Sequence, residues 1–320
     1  MAADQVTRRA GRDEDGSIAT APEVSQVGRV SKLAERLNLV DRIYMVWFTA
    51  ATALVLASRE RLAGWPWFLA INAVAVGVIW WLASGRAPKG PRHFLHHWYP
   101  LAMAIVCFLE TARFSMLIVP EWQDEHILAW ERAMFDVPPT VWLQQFKHPV
   151  LTELLQLGYF SYFTYQMVVG GVLYRPGEKR AFRQLMTAVA LTYTLCSVVY
   201  VLFPTESPAR TLREQHTVVF HGGFFHFLVL LIQKYFGVHG NAFPSSHVAA
   251  SIAALIVAWK YTRKVAWFLT PLVLLMCVGA VYDRYHYFSD VWSGILVGAA
   301  VSAFVIGAWN RIATSRDREA

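Results

Sequence analysis

The chain has 320 residues, 56% hydrophobic and 16% charged, with a formal net charge of +7 at pH 7 and a mean hydropathy of +0.35. Soluble domains average roughly 45–50% apolar and about 25% charged residues, so this composition excludes an ordinary soluble domain and requires lipid as part of the solvent. The positive charge forms no basic run interleaved with a soluble fold, which argues against nucleic acid as a partner; it brackets apolar stretches and carries topology instead.

Residues 1–28 are rich in Arg, Asp, Ser, Gly and Ala and hold no apolar core, so a disordered cytoplasmic tail is expected there rather than a signal peptide. Over 29–42, Val30, Leu33, Leu37 and Val40 recur at helical spacing among basic residues, the pattern of an amphipathic helix lying on a membrane surface. A crossing helix needs roughly 17–25 mostly apolar residues. Eight stretches approach this: 43–58, 65–83, 99–119, 151–174, 184–203, 247–261, 265–283 and 289–309. When these spans alternate, roughly two thirds of the 29 Lys and Arg fall on the side of the N-terminus. Both termini are therefore expected to be cytoplasmic, with 120–150, 204–246 and 284–288 facing outward. The expected fold is an all-α, polytopic transmembrane helix bundle of about eight spans. Residues 29–98 supply the amphipathic helix and N-terminal membrane helices, 99–309 a six-helix catalytic core, and 310–320 a cytoplasmic tail.

The outer segment 120–150 carries Glu121, Asp124, Glu125, Glu131 and Asp136 and then PPTVWLQQF, which suits a lid or shelf against the membrane surface. Residues 224–238 are apolar but too short to cross, so they are expected to lie in the interface or re-enter. Cys107, Cys196 and Cys277 sit within apolar stretches as packing residues, which excludes a disulfide framework or a Cys-based metal site. His93, His96 and His97 precede the third span with no carboxylate nearby and are assigned to interfacial anchoring. Glu110 and Arg113, three residues apart within a span, are expected to neutralise each other. Tyr159, Tyr162 and Tyr165 are assigned to packing, with one of them available to a head-group pocket.

Two segments carry chemistry. In Gly240-Asn241-Ala242-Phe243-Pro244-Ser245-Ser246-His247, Asn, Pro and two Ser precede an apolar run, a helix-start signal. The free N–H groups and positive dipole end of such a start favour an anion, and His247 would reach it. In Arg284-Tyr285-His286-Tyr287-Phe288-Ser289-Asp290, His286 and Asp290 are four apart and share a helix face. A carboxylate there accepts the imidazole Nδ1–H and leaves Nε2 free as a nucleophile. Phosphoryl transfer needs a nucleophile, an acid for the leaving oxygen and fixed positive groups around the phosphate. His286 with Asp290 supplies the first, His247 the second, and the helix start with Ser245, Ser246 and nearby Arg the third. Arg210, in Phe203-Pro204-Thr205-Glu206-Ser207-Pro208-Ala209-Arg210, stands at the outer boundary where a guanidinium fork suits phosphate, with Arg213 as a second candidate. No Gly-rich nucleotide loop or carboxylate cluster occurs, so a metal- and cofactor-free reaction is expected.

The order of an FPTESPAR segment, PSSH and H-x-x-x-D resembles the phosphatidic acid phosphatase type 2 superfamily over about residues 100–309. That superfamily includes lipid phosphatases, vanadium haloperoxidases and the sphingomyelin and inositol phosphorylceramide synthases. Its P-S-G-H motif corresponds to Pro244–His247 with Ser246 in place of Gly, and its H-x-x-x-D to His286 and Asp290. The resemblance implies a phosphohistidine on His286, Asp290 as its orienter, His247 as general acid and then base, and Arg210 and Arg284 as phosphate ligands. The lipid-phosphatase pattern K-x6-R-P is absent, and Ala280 stands where S-R-x5-H would need Arg. FPTESPAR, RYHYFSD and residues 124–146 are more similar to the inositolphosphotransferase branch. Implied is transfer of a phospho-head-group from a phospholipid or polyprenyl phosphate to a lipid or alcohol acceptor. A simple lipid phosphate phosphatase is one alternative and a non-catalytic head-group transporter or scaffold another; inverted repeats or paired Gly/Pro-broken helices would favour transport, and the sequence shows neither. The Arg- and Ala-rich style points to a bacterial inner membrane with the active site outward. Oligomeric state is left open.

Overall fold

The computed structural model describes residues 37–84, 90–175 and 179–318. The expected tail 1–28 and the amphipathic segment up to residue 36 lie outside the described residues. The described part is helical, with no strand among the described residues; a lone bridge joins Thr205 and Asn241. The principal helices are α1 (Leu39–Ala57), α2 (Trp65–Ala83), α3 (Pro91–Phe114), α4 (Asp124–Met134), α5 (Pro149–Leu173), α6 (Lys179–Leu202), α7 (Phe224–Phe236), α8 (Ser246–Tyr261), α9 (Arg263–Tyr282) and α10 (Phe288–Ile312).

Each expected span coincides with a helix. Five of them, α1, α2, α6, α9 and α10, are long and apolar enough to cross a membrane. The more polar α3 and α5 run 24 and 25 residues, and α8 only 16. Large apolar side chains stand exposed on the outward faces, among them Trp67 and Val74 on α2, Trp267 and Phe268 on α9, and Leu296 and Phe304 on α10. Apolar surface of this extent needs a lipid neighbour; the chain is an integral membrane protein. The apolar 13-residue α7 lies against α5 with Phe224, Phe227 and Phe236 exposed, as its short length requires.

At the centre is α8, which packs against α5, α6, α9 and α10. Its sequence is rich in Ala, and Ala249, Ala250, Ala253, Ala254 and Ala258 are fully buried. Lipid offers no hydrophobic drive between helices, so close approach of small residues supplies the contact. Opposite them on α10 stand Gly294 and Gly298. A Cβ at Gly294 would come within 2.6 Å of the Ser245 carbonyl oxygen, and one at Gly298 would collide with the carbonyl oxygen of Ala249. This tight seam sets the N-terminal ends of α8 and α10 side by side, where both histidines reside.

The N-terminal hairpin α1–α2 leans on α3 and α6, and two expectations change here. His96 does have a carboxylate nearby: its Nε2 lies 3.0 Å from buried Asp41 of α1, which also accepts the Tyr99 hydroxyl at 2.6 Å. The partner comes from 55 residues earlier in the chain, out of reach of any local pattern. Glu110 does not pair with Arg113. The latter points outward and is exposed, whereas Glu110 is buried facing Asn72 of α2 and Trp47 of α1. A spacing of three leaves the two side chains 60° off a common line, enough to put one inside the bundle and one outside.

Gly298→Val should lower stability by about 2 kcal/mol or more, because the atom it strikes belongs to backbone. Gly307, with open space around its Cα, provides the control: thermal unfolding in detergent should show a large loss for Gly298→Val and little for Gly307→Val.

Candidate active site

The first turn of α8 is fixed from below and from the side. Ser245 is its N-cap, its Oγ accepting the Val248 N–H at 3.4 Å. Tyr200 of α6 donates its hydroxyl to Pro244 O at 2.8 Å and accepts the Ser246 N–H at 3.1 Å. Preceding residues pair with the FPTES stretch after α6 and with α3: Phe243 N–H donates to Thr205 Oγ1 at 2.8 Å, and the Asn241 amide donates to Phe108 O of α3 at 2.9 Å. His247, the second helical residue, emerges between the rings of Phe108 and Tyr162, at centroid distances of 5.2 and 4.6 Å. Its Nδ1 is buried with no hydrogen-bond partner among the described residues.

The turn between α9 and α10 delivers the other imidazole. Arg284 takes a left-handed φ of 66°, and the N–H groups of Tyr285 and His286 both return to Ala280 O, at 3.0 and 2.9 Å. This reversal points His286 back over the end of α8. Its Nδ1 lies 3.1 Å from Ala242 O and 3.3 Å from Asp290 Oδ2. Two acceptors on Nδ1 fix the proton there and leave the Nε2 lone pair free. Asp290 Oδ2 also accepts the Tyr287 N–H at 2.9 Å, and its carbonyl accepts the Ser245 N–H at 3.0 Å. Asp290 thus serves three tasks: it caps α10, orients His286 and ties α10 to α8. The two imidazoles face each other with ring centroids 6.0 Å apart. His286 is 4% exposed, and burial lowers its pKa to about 4, which keeps it neutral at physiological pH.

Behind this turn lies α4, whose role the sequence pattern did not disclose. Asp124 Oδ2 accepts the Glu206 N–H at 3.0 Å, and its Oδ1 accepts the Tyr287 hydroxyl at 3.1 Å. Glu131 Oε1 accepts the Ser289 N–H at 3.2 Å. The two acids stand seven residues apart with Ile127 and Leu128 buried between them, so one face of a two-turn stretch holds both ends of the loop that carries His286. Burial raises Asp124 to about 6 and Glu131 to about 7. The segment expected to be a lid or shelf holds that loop as a buttress. Its signal was the 124, 127, 128, 131 spacing, hidden among other acidic residues.

The remaining candidates divide. Arg284 lines the cavity, but its guanidinium is engaged: it donates to Val218 O at 2.7 Å and stacks on Phe220 at 4.5 Å. Arg210 lines the same cavity from its rim, 59% exposed, with Nε 3.4 Å from Glu206, whose other oxygen meets His239 at 2.7 Å. Arg213 is exposed and does not line the cavity. Neither Ser245 nor Ser246 lines it: the first hydroxyl serves as the helix cap and the second is buried in the packing without a partner among the described residues. Tyr159 and Tyr162 do line it, whereas Tyr165 turns away to Ser161 and Gly158. No group of three or more metal-ligating side chains occurs among the described residues.

A cavity of about 1170 Å³ opens over the pair, walled by α3, α5, α6, α7 and the loops before α8 and α10. A membrane-embedded helical bundle with two histidines, one backed by a carboxylate, at the mouth of such a cavity defines a class of membrane site. Residues 125–304, more than half of the chain, match the PAP2 superfamily, and the chain belongs to it. A PA-phosphatase related-family protein of Dictyostelium discoideum is 25% identical over 167 residues, which is 46% of this chain and 30% of that protein. The chain thus spans less than a third of the length of that relative. No solved structure matches it.

Asp124→Ala would leave the Glu206 N–H and the Tyr287 hydroxyl without their acceptor. Unpaired buried donors cost about 1–3 kcal/mol. The variant should unfold at lower temperature and turn over more slowly than wild type, as thermal unfolding and an assay of the same preparation will measure.

Proposed function

We propose that the chain is a lipid-phosphate phosphotransferase or phosphatase that works through a phosphohistidine at the outer membrane face. The supporting observation is the convergence of His247 and His286 on one cavity, 6.0 Å between ring centroids, with Asp290 on the Nδ1 of His286. In-line displacement needs a nucleophile about 3 Å from phosphorus and, on the far side, a donor within about 2.8 Å of the leaving oxygen. The two imidazoles, 6.0 Å apart between ring centroids, border one cavity, and the rings must part by a few ångströms for a phosphorus to sit between their nitrogens.

The reaction divides into two displacements. Nε2 of His286 attacks phosphorus; the N–P bond forms, the bond to the lipid oxygen breaks, and protonated His247 gives its proton to the departing alkoxide. In the second, water or an alcohol attacks the phosphohistidine while neutral His247 takes its proton, and the N–P bond breaks. Asp290 steadies the positive charge on the His286 ring while it carries the phosphoryl group. The helix start at His247 and the guanidinium groups of Arg210 and Arg284 supply positive potential to the phosphate. Arg284 would exchange its Val218 contact for the ligand.

Transfer to a lipid or alcohol acceptor is favoured over hydrolysis by the FPTESPAR and RYHYFSD patterns, which are similar to the inositolphosphotransferase branch. On this reading α3, α5 and α8 cross in addition to the five apolar helices, and eight spans would leave the termini in the cytoplasm and the histidines outward. The charge bias supports this orientation, and a bacterial inner membrane suits it. The donor is a phospholipid or polyprenyl phosphate.

His286→Ala and His247→Ala should each reduce turnover at least a thousandfold while the protein still inserts and purifies. With ³²P-labelled lipids, label moving into a second lipid identifies a transferase and free phosphate a phosphatase; full activity in the double variant would sink the histidine chemistry. Orthovanadate, a mimic of five-coordinate phosphorus, should inhibit. Because His286 must be neutral to attack and burial lowers its pKa to about 4, the acid limb of kcat/KM that this ring sets should lie near 4. A decline centred at the ordinary imidazole value of about 6.5 would contradict that role.

A further inference from the structure

Below the histidines the cavity continues between two helices. It is lined by one face of α3, from Leu101 to Leu109, and one face of α5, from Tyr159 to Met167. Both helices pack on α6 but not along each other, so they flank a slot whose floor is Val189 and Tyr193 of α6. Eight residues of helix give it a depth of about 12 Å, well into the hydrocarbon region.

Polar groups interrupt this apolar slot at helical spacing. Tyr159, Tyr162 and Gln166 stand on one face of α5, and Tyr193 faces them from α6. The first three are 8%, 8% and 6% exposed. None of the three tyrosine hydroxyls has a hydrogen-bond partner among the described residues, and the Nε2 of Gln166 is shielded and unpartnered as well. A polar group in hydrocarbon without a partner is costly. Four on one wall of a cavity, each a hydrogen-bond donor, imply an acceptor that arrives with the ligand.

Position decides which acceptor. Tyr162 packs against His247 at 4.6 Å, so the phosphate sits above it. Gln166 lies one turn deeper, about 6 Å along the axis. In an acylated phospholipid or a phosphorylated ceramide, an ester or amide carbonyl lies only a few bonds from phosphorus, within that depth. A polyprenyl chain brings no oxygen there and would bury all four donors unpaired. We propose that Tyr159, Tyr162, Gln166 and Tyr193 form a carbonyl-binding neck that selects acyl-linked lipid phosphates over polyprenyl phosphates. The inference rests on the phosphoryl reading of the histidine site and names its substrate class.

The test uses the full chain in mixed micelles with phosphatidate, its dialkyl ether counterpart of equal chain length, ceramide phosphate and a polyprenyl phosphate. The ether differs from phosphatidate only by its missing carbonyls. Leaving buried donors unpaired corresponds to about a tenfold to hundredfold loss, so wild type should favour phosphatidate over the ether by that factor in kcat/KM. In Tyr193→Phe, and more so in Tyr193→Phe/Gln166→Leu, the ratio should fall towards one; the single variant removes one oxygen atom and guards against misfolding of the double. Dissociation constants for the same lipids on His286→Ala protein read the neck without chemistry. A wild-type ratio near one, a ratio that survives in the variants, or a preference for the polyprenyl phosphate would overturn the proposal. If no lipid is turned over but the binding ratio holds, the catalytic reading fails and the neck stands. Relative affinity for ceramide phosphate and phosphatidate tells amide from ester.

Discussion

The seam between α8 and α10 carries the rest of the site. In lipid, helices gain from contact only where backbones approach closely, and here Gly294 and Gly298 let α10 settle onto the carbonyls of Ser245 and Ala249. That approach brings the Ser245 N–H within 3.0 Å of the Asp290 carbonyl. With the two helix starts locked together, the residues beside the caps, His247 just after one and His286 just before the other, are brought together. Loosening the seam would separate the two imidazoles without touching either.

Around the seam the protein spends backbone hydrogen bonds to hold a turn that would otherwise be mobile. Ala280 O receives two N–H groups, Asp290 one, and Glu131 another. Asp124 links the same turn, through the Tyr287 hydroxyl, to Glu206 on the FPTES segment. Three chain segments distant in sequence are thereby fixed to one another outside the bundle core. Such preorganisation matters for phosphoryl transfer, in which the protein contributes mainly position and charge. Arg210, Lys234 and Arg284 line the cavity, and both arginines hold other partners. On the proposed reading, binding of a phosphate would mean exchange of those partners.

A deep slot beneath a polar mouth also reconciles two needs. On the proposed reading, the phosphate would meet dipoles and guanidinium groups at the membrane boundary while the attached chains remain in hydrocarbon. The opening between α3 and α5 would allow both without lifting the lipid out of the bilayer.

Composition and apolar run length were enough to establish an all-helical membrane bundle, because a 20-residue apolar stretch has few alternatives in water or lipid. The i, i+4 spacing of His286 and Asp290 likewise disclosed their partnership, since helix geometry is local. Local pattern could not place Asp41 beside His96, turn Glu110 away from Arg113, or reveal that Asp124 and Glu131 brace the turn that carries His286. Those outcomes depend on which faces of distant helices meet. That is decided by the fit of small residues across the bundle and by the need of every buried polar group for a partner, conditions that exist only once the chain has folded.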